Sequence, residues 1–166
     1  LCSEFLHGLE LGGTVDAFVK RNPDFRPARG RKPVILIGAG TGIAPLVGFI
    51  GGNFRRRPMY LYWGGRDPRS DFLYGPALAR LLRESRLTRL VTAFSRVVED
   101  RAYVQDRIRG DGEALRALVA RGAQIMVCGG RDMAAGVRAA VEEIVAPLGL
   151  DVGTLKAGGR YLEDIY

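Results

Sequence analysis

The stretch PVILIGAGTGIAPLVGFIGGN, residues 33–53, decides the fold of this chain. Its first seven residues form an apolar run rich in β-branched side chains, which predicts a buried strand. Three closely spaced glycines, Gly38, Gly40 and Gly42, lie at the end of this run and just after it, and the apolar residues after them have helical spacing. Because a strand, a bare turn and a helix in this order offer backbone N–H groups and a positive helix end to an anion, we predict a phosphate-binding turn. A tight connection without a ligand is the alternative, since the third glycine of the usual dinucleotide fingerprint would fall at Ile43.

The same alternation of strand and helix continues along the chain. Strands are predicted at residues 33–39, 58–64, 89–95 and 123–130, with a further edge strand within 159–166. Helices are predicted at residues 42–53, 72–85, 102–110, 112–122 and 133–147. Apolar strands joined through helices predict an α/β fold with a doubly wound, mainly parallel sheet of about five strands, similar to a Rossmann domain. Before this alternation begins, only residues 14–19 look like a strand.

Donor side chains collect after the third predicted strand, in the segment AFSRVVEDRAYVQ, residues 93–105. In doubly wound folds, ligands lie beyond the carboxyl ends of the strands, so these side chains are expected to face a common crevice. Guanidinium groups bind phosphate through paired hydrogen bonds, and a tyrosine ring can stack on adenine. A solvated loop with two surface arginines is the alternative. The side chains in question are Ser95, Arg96, Arg101, Tyr103 and Gln105.

The composition is that of an ordinary globular domain, with 47% hydrophobic and 26% charged residues. No apolar run approaches the roughly 20 residues that a membrane-spanning helix needs. The two cysteines, Cys2 and Cys128, lie far apart and predict neither a disulfide framework nor a metal site, so we expect a reducing, cytoplasmic setting. The net charge of +7 leaves nucleic-acid binding as a weaker alternative, because no aromatic stacking platform accompanies the basic residues.

The string GTGIAP, residues 40–45, resembles the nicotinamide-domain motif of the ferredoxin–NADP reductase superfamily, and its surroundings look most like the diflavin reductases of that superfamily. The resemblance implies a domain that binds NADPH and passes its hydride to FAD, from which single electrons move to another centre. By the same resemblance, the residues around the cofactor pyrophosphate would be Gly40, Thr41, Gly42, Ala44 and Pro45.

Three further motifs carry the resemblance. The segment from Ser95 to Gln105 is similar to the element that holds the 2′-phosphate and adenine of NADPH, with Arg101 in place of the usual lysine and Arg66 as a possible phosphate neighbour. The string VCGGRDM is similar to a motif whose cysteine lies beside the nicotinamide. The closing GRYLEDIY is similar to a segment whose aromatic ring covers the flavin. These two motifs imply roles for Cys128, Gly129, Asp132, Asp164 and Tyr166.

Residues 1–30 resemble only the end of the superfamily's FAD-binding barrel domain, and Cys2 and Ser3 match the helix start that binds the FAD pyrophosphate. We therefore expect residues 31–166 to form the NADPH-binding domain, and the chain to be part of a longer reductase. The partners implied are NADPH, an upstream FAD domain and an electron-accepting domain or protein. The location implied is the cytoplasm, or the cytoplasmic face of a membrane protein. A module that binds another phosphorylated nucleotide without redox chemistry is the remaining alternative.

Overall fold

The structure is a computed structural model that describes residues 2–18 and 22–166. Its strands are β1 (Val34–Ala39), β2 (Met59–Gly65), β3 (Arg89–Phe94), β4 (Gln124–Gly129) and β5 (Tyr161–Ile165). Its α-helices are α1 (Cys2–His7), α2 (Ile43–Gly51), α3 (Gly75–Arg83), α4 (Val104–Gly110), α5 (Gly112–Ala120), α6 (Arg131–Val145) and α7 (Val152–Ala157). Short 3₁₀ turns cover Gly40–Gly42 and Ala146–Leu148.

The five strands form one parallel sheet in the order β3-β2-β1-β4-β5. The chain moves outward from β1 to β3, then returns to place β4 on the other side of β1. The strand order therefore reverses between β1 and β4, and in doubly wound sheets such a reversal opens a crevice at the carboxyl ends of the strands. The turn Gly40–Gly42 lies at this reversal, so the fold places the glycine turn where a ligand is expected.

Both faces of the sheet are covered, as the apolar strands predict. Every residue from Val34 to Gly38 is buried, and alternate side chains of β1 enter different hydrophobic clusters. Ile35 and Ile37 join the cluster that includes residues of α4 to α7, whereas Leu36 joins the one that includes residues of α2 and α3. The doubly wound prediction is confirmed by this arrangement.

Three local features depart most from the predictions, since the ends of the other predicted helices agree to within two residues. Helix α3 begins at Gly75 rather than at residue 72, and Leu73 and Tyr74 before it form a turn. Helix α7 was not predicted from the apolar pattern, although Asp151 is a good N-cap and its carboxylate accepts a hydrogen bond from the Thr154 N–H at 2.5 Å. The described residues 14–18 contain no strand, so the strand-like interpretation of that stretch is wrong there.

The segment before β1 contacts the α/β unit through an aromatic pair and a hydrogen bond. Phe25 is buried and its ring lies 5.8 Å from that of Phe49 on α2. The Ala28 N–H donates to Oε1 of the buried Gln124 at 2.8 Å. A division of the chain at residues 30 and 31 is not tested by these contacts and stays a prediction. Among the described residues, no helix is long and apolar enough to cross a bilayer.

Candidate functional site

A cavity of about 630 Å³ opens at the carboxyl edge of the sheet. Its walls come from the loops after β1, β2 and β3 and from the first turns of α4 and α6. A volume of this size is in the range of small-molecule and cofactor sites. The sequence-predicted residues that line it are Gly40, Thr41, Arg66, Ser95, Tyr103, Gln105 and Asp132.

Gly40 leaves the backbone open toward this cavity. Its φ of +53° is in the left-handed region that favours glycine, and a β-carbon built there would meet nothing within 4 Å. The Trp63 indole N–H donates to the Gly40 carbonyl at 3.1 Å, which holds the turn in place from below. The bare backbone here is therefore accessible from the cavity, as a close approach by a phosphate requires.

Gly42 has a different reason to be glycine. A β-carbon at this position would lie 2.2 Å from the Cys128 carbonyl oxygen and 2.7 Å from its carbonyl carbon. Gly38 is similarly confined, because a β-carbon there would lie 2.9 Å from Cδ1 of Leu46. These two glycines allow the turn and β1 to pack closely against β4 and α2. Only Gly40, of the three glycines between 38 and 42, has the open surroundings that the phosphate interpretation needs.

The loop after β3 is held to its neighbours by backbone hydrogen bonds. The Ser95 N–H donates to the Gly65 carbonyl at 3.1 Å, and the Arg96 N–H donates to the Arg66 carbonyl at 2.9 Å. Further along, Ala102 N–H donates to the Phe94 carbonyl at 3.2 Å. These bonds place the serine hydroxyl at the cavity wall and leave the Arg96 side chain exposed beside it.

Arg101 and Tyr103 form a pair next to the cavity. The Arg101 guanidinium donates to the Tyr103 hydroxyl at 3.2 Å and lies 5.9 Å from the centre of its ring. The Tyr103 ring is 48% exposed, so it can be stacked on. Asp106 accepts a hydrogen bond from the Tyr103 N–H at 2.8 Å and so fixes the start of α4. Tyr103 lines the cavity and Arg101 does not, and the sequence alone did not predict the contact between them.

Arg66 is held by a carboxylate that sequence reasoning missed. Its Nε donates to Oδ2 of Asp71 at 2.9 Å, and a second nitrogen donates to Oδ1 at 3.2 Å. The guanidinium keeps the pKa of the Asp71 carboxyl below its usual range through this hydrogen bond. Both residues line the cavity, so its wall contains a neutralised ion pair at the end of β2. The sequence feature that could have predicted this ion pair is the acidic residue five positions after Arg66.

Two further predicted residues lie in the helix starts around the cavity. The Gln105 side chain packs against Gly136 of α6, where a β-carbon would lie 3.1 Å from the Gln105 amide. Asp132 is exposed in the first turn of α6. The sequence did not identify the apolar residues of the lining, because an apolar pattern does not distinguish side chains in the core from side chains that face a cavity. Those residues are Ala39, Leu73, Ala93, Ala102, Val104 and Met133.

Cys128 lies outside the cavity lining, buried at the end of β4. Its Cα pairs with that of Gly38 on one side and Asp164 on the other. Burial, with a smaller contribution from the Asp164 charge, raises the pKa of the Cys128 thiol to about 11. The side chain is therefore a neutral thiol at physiological pH. Gly129, next in the chain, has φ of +150° and turns the backbone toward α6.

Tyr166 connects the end of β4 to the glycine turn. Its N–H donates to the Gly129 carbonyl at 3.3 Å, and its hydroxyl is hydrogen-bonded to Oγ1 of Thr41 at 2.8 Å. The ring is 64% exposed. One residue thus spans the gap between the cavity, which Thr41 lines, and the buried Cys128 strand end.

The remaining predicted residues lie elsewhere. Pro45, in the first turn of α2, lines a separate cavity of about 460 Å³ together with Phe25, Phe49 and Asp164. Ala44 is exposed on the same turn and lines neither cavity. The structure therefore does not place Ala44 and Pro45 beside Gly40 in one lining. The side chains of Cys2 and Ser3 lie outside the described part of the structure.

A family model and full-length relatives both match this chain, and the relatives match nearly all of it. Residues 36–139 match the family model of the oxidoreductase NAD-binding domain. The chain is 36% identical to the sulfite reductase [NADPH] flavoprotein alpha-component of Salmonella paratyphi A, over 99% of this chain and 30% of that protein. It is 37% identical to the NADPH–cytochrome P450 reductase of Homo sapiens, over 95% of this chain and 26% of that protein. The chain thus spans about three tenths of the length of these relatives.

The close packing at Gly42 can be tested by adding one methyl group. We expect Gly42→Ala to lower the free energy of unfolding by about 1–3 kcal/mol, because the new β-carbon overlaps backbone atoms that cannot rotate away. Gly48→Ala is the matched control, because Gly48 is exposed within α2 and a β-carbon there meets nothing within 4 Å. That control is expected to be stabilising by about 0.5–1 kcal/mol. Urea unfolding measures both, and equal stabilities for the two variants would contradict this packing.

The raised thiol pKa predicts slow alkylation of Cys128. At pH 8 the thiolate fraction is about 100-fold smaller in the folded protein than in the unfolded chain, because the folded pKa is higher. Iodoacetamide labelling, followed by mass spectrometry of the peptide containing Cys128, should therefore be at least about 100-fold slower before than after denaturation. Equal labelling rates would show that the thiol is accessible and ionised.

Proposed function

The chain belongs to the oxidoreductase NAD-binding domain family, and on this premise we propose that it binds NADPH as part of a flavoprotein reductase. One observation carries the proposal: Thr41, Arg66 and Ser95, from the loops after β1, β2 and β3, line a single cavity at the carboxyl edge of the sheet. Because the chain spans only about three tenths of its relatives, the FAD domain and the electron acceptor belong to the remainder of such a reductase.

The pyrophosphate of the cofactor would lie against Gly40 and Thr41. The open backbone at Gly40 supports this placement, and the hydroxyl of Thr41 can donate to a phosphate oxygen. The structural role of Gly42 is indirect: it lets the turn pack against β4, so the two ends of the site stay at a fixed separation.

The 2′-phosphate would be held by Ser95, Arg96 and Arg101, and adenine would stack on Tyr103. The strand-to-helix loops as a group carry four basic and four acidic residues, since residues 66–74 and 95–103 each contribute two of either sign. The cavity edge therefore has no strong overall charge to attract anions. Selectivity for NADPH must come from paired hydrogen bonds at particular arginines. This is why removing one guanidinium is expected to have a large effect.

The nicotinamide end would lie toward Cys128, Asp164 and Tyr166. The neutral thiol contributes size and polarity without a charge beside the nicotinamide ring. Asp164 is next to Cys128 in register and can accept a hydrogen bond from a carboxamide. Tyr166, whose hydroxyl is bonded to Thr41, lies between the cavity and the strand end that carries Cys128. Its ring would have to move aside for the nicotinamide. These residues orient the ring, and the FAD of the complete reductase supplies the acceptor for the hydride.

The amino-terminal segment supports a further domain in the same protein. Phe5, Leu11 and Phe18 are 58%, 108% and 89% exposed, which is unusual for large apolar side chains of a soluble surface. We place residues 1–30 with the FAD domain and residues 31–166 with the NADPH-binding domain. The proposed location is the cytoplasm, which suits a sequence whose two cysteines predict no disulfide framework.

The phosphate site is tested by titrating the chain with NADPH, NADH and ATP. We expect NADPH to bind most tightly, and Arg96→Ala to weaken NADPH binding about 10- to 100-fold while NADH binding stays the same. Arg83→Ala removes an equal charge from an exposed position on α3 and is the control. Equal affinities of the parent for all three nucleotides would remove the case for a 2′-phosphate site.

The role of Tyr166 is tested in the same titration. Removing the ring in Tyr166→Ala should tighten binding of both NADPH and NADH, because the nicotinamide no longer competes with the bond to Thr41. The matched variant Tyr166→Phe keeps the ring and loses only that hydrogen bond, so its affinities should lie between those of the parent and the alanine variant. Affinities that do not change in either variant would count against a covering role.

A further inference from the structure

The basic residues are concentrated at the edge of the sheet opposite the cavity. The amino edge is defined here as residues 28–33 together with the helix-to-strand turns 52–58, 84–88, 121–123 and 158–160. These segments contain nine of the 25 basic residues and one of the 18 acidic residues. The rest of the chain has 16 basic and 17 acidic residues. The whole net positive charge therefore belongs to the amino edge.

Contacts between the segments show that the amino edge is one continuous surface. The Arg57 guanidinium donates to the carbonyls of Ala28 and Lys32 at 2.5 and 3.0 Å, which joins the first two segments. Asn53 is buried and donates to the Arg86 carbonyl at 2.7 Å. Gln124 donates to the Gly159 carbonyl at 3.0 Å. Because the Ala28 N–H also donates to Gln124, these contacts connect the turns to one another.

The charges on the amino edge are not neutralised locally. Within residues 2–18 and 22–166, only Arg86 among the nine has a carboxylate partner, Glu84 at 3.0 Å. Arg57 and Arg160 are held by backbone carbonyls, which orient their guanidinium groups without cancelling the charge. The six other basic side chains belong to exposed residues: Arg29, Arg31, Lys32, Arg55, Arg56 and Arg121.

An exposed aromatic ring lies within this basic surface. Phe54 is 74% exposed, and the Arg86 guanidinium lies 4.4 Å from the centre of its ring. It is followed directly by Arg55 and Arg56. An apolar ring among arginines suits the boundary between headgroups and acyl chains, where the ring enters the apolar layer and the arginines stay with the phosphates.

We propose that the amino edge binds the anionic phospholipid headgroups of a bilayer surface. Five strands about 4.8 Å apart make an edge about 20 Å wide, so a planar surface can contact all the turns at once. Single-stranded nucleic acid fits less well, because stacking needs several open aromatic faces and the one ring here has a guanidinium against it. An electron-accepting protein is also disfavoured, since the nicotinamide end lies a strand length away, about 20 Å.

This surface is compatible with cofactor binding at the other edge. With the amino edge on a bilayer, the carboxyl edge and its cavity face away from the lipid and stay open to solvent. The proposal does not depend on the proposed function, because the two edges share no residues. NADPH titration of the lipid-binding variants separates the two: a variant that loses vesicle binding should keep the NADPH affinity of the parent, so either proposal can fail while the other stands.

The test is sedimentation of the 166-residue chain with vesicles of phosphatidylcholine, with or without about one-third phosphatidylserine. We expect binding only to the vesicles containing phosphatidylserine, and weakening as salt is raised. Each Lys or Arg near an anionic bilayer strengthens binding about fivefold, so Arg55→Gln/Arg56→Gln should bind about 30-fold more weakly. Phe54→Ser should also bind more weakly than the parent, which identifies contact with the apolar layer.

The matched control moves the same charge change to the carboxyl edge. Arg69→Gln/Arg131→Gln also removes two exposed arginines, and should bind vesicles within about twofold of the parent. Unchanged near-ultraviolet circular dichroism checks that each variant is folded. No sedimentation of the parent with anionic vesicles, or equal losses in the two double variants, would overturn the proposal. Tighter binding to a single-stranded DNA oligonucleotide than to these vesicles would also overturn it.

Discussion

The contact between the glycine turn and β4 is the constraint on which the site depends. Gly42 lies so close to Cys128 that no side chain can separate them. This approach follows from the strand order, which makes β4 the direct neighbour of β1 although 86 positions separate the two residues along the chain. Because the turn is pressed against β4, the open backbone at Gly40 and the thiol at the end of β4 keep a fixed distance. In the proposed complex, a dinucleotide that extends from Gly40 toward Cys128 would be recognised by its length as well as by its groups.

Much of the fold follows from the apolar pattern of the sequence. The strand at 34–39 was predicted at 33–39, and β2, β3 and β4 were predicted to within one residue at each end. Such buried parallel strands are long, uninterrupted and bounded by glycine or charged residues, so their limits are clear in the sequence. Helix α7 has six residues and only two buried side chains, Val152 and Leu155, which is too little for a periodic pattern.

The site was predicted less completely, for a physical reason. Residue types and strand ends locate Ser95, Tyr103 and Thr41, since the ends of neighbouring parallel strands must meet at one edge. The pairing of Arg66 with Asp71 depends on how the loop between them folds back, which no periodicity describes. The separation of the three glycines into open and confined positions also needed coordinates, because it depends on what packs against each α-carbon.

The charge distribution gives the two edges of the sheet different kinds of recognition. At the carboxyl edge, equal numbers of basic and acidic residues leave little net field, so a ligand is selected by the geometry of individual hydrogen bonds. At the amino edge, eight net positive charges lie on short turns that are joined by buried amides, and such a surface attracts any extended anion over about a Debye length. Individually placed hydrogen bonds, as at the carboxyl edge, suit a small cofactor that must be oriented. A high net charge, as at the amino edge, suits a broad anionic surface that need not be oriented. The rigid parallel strands between the edges allow both to act in one domain, because neither ligand has to share a side chain with the other.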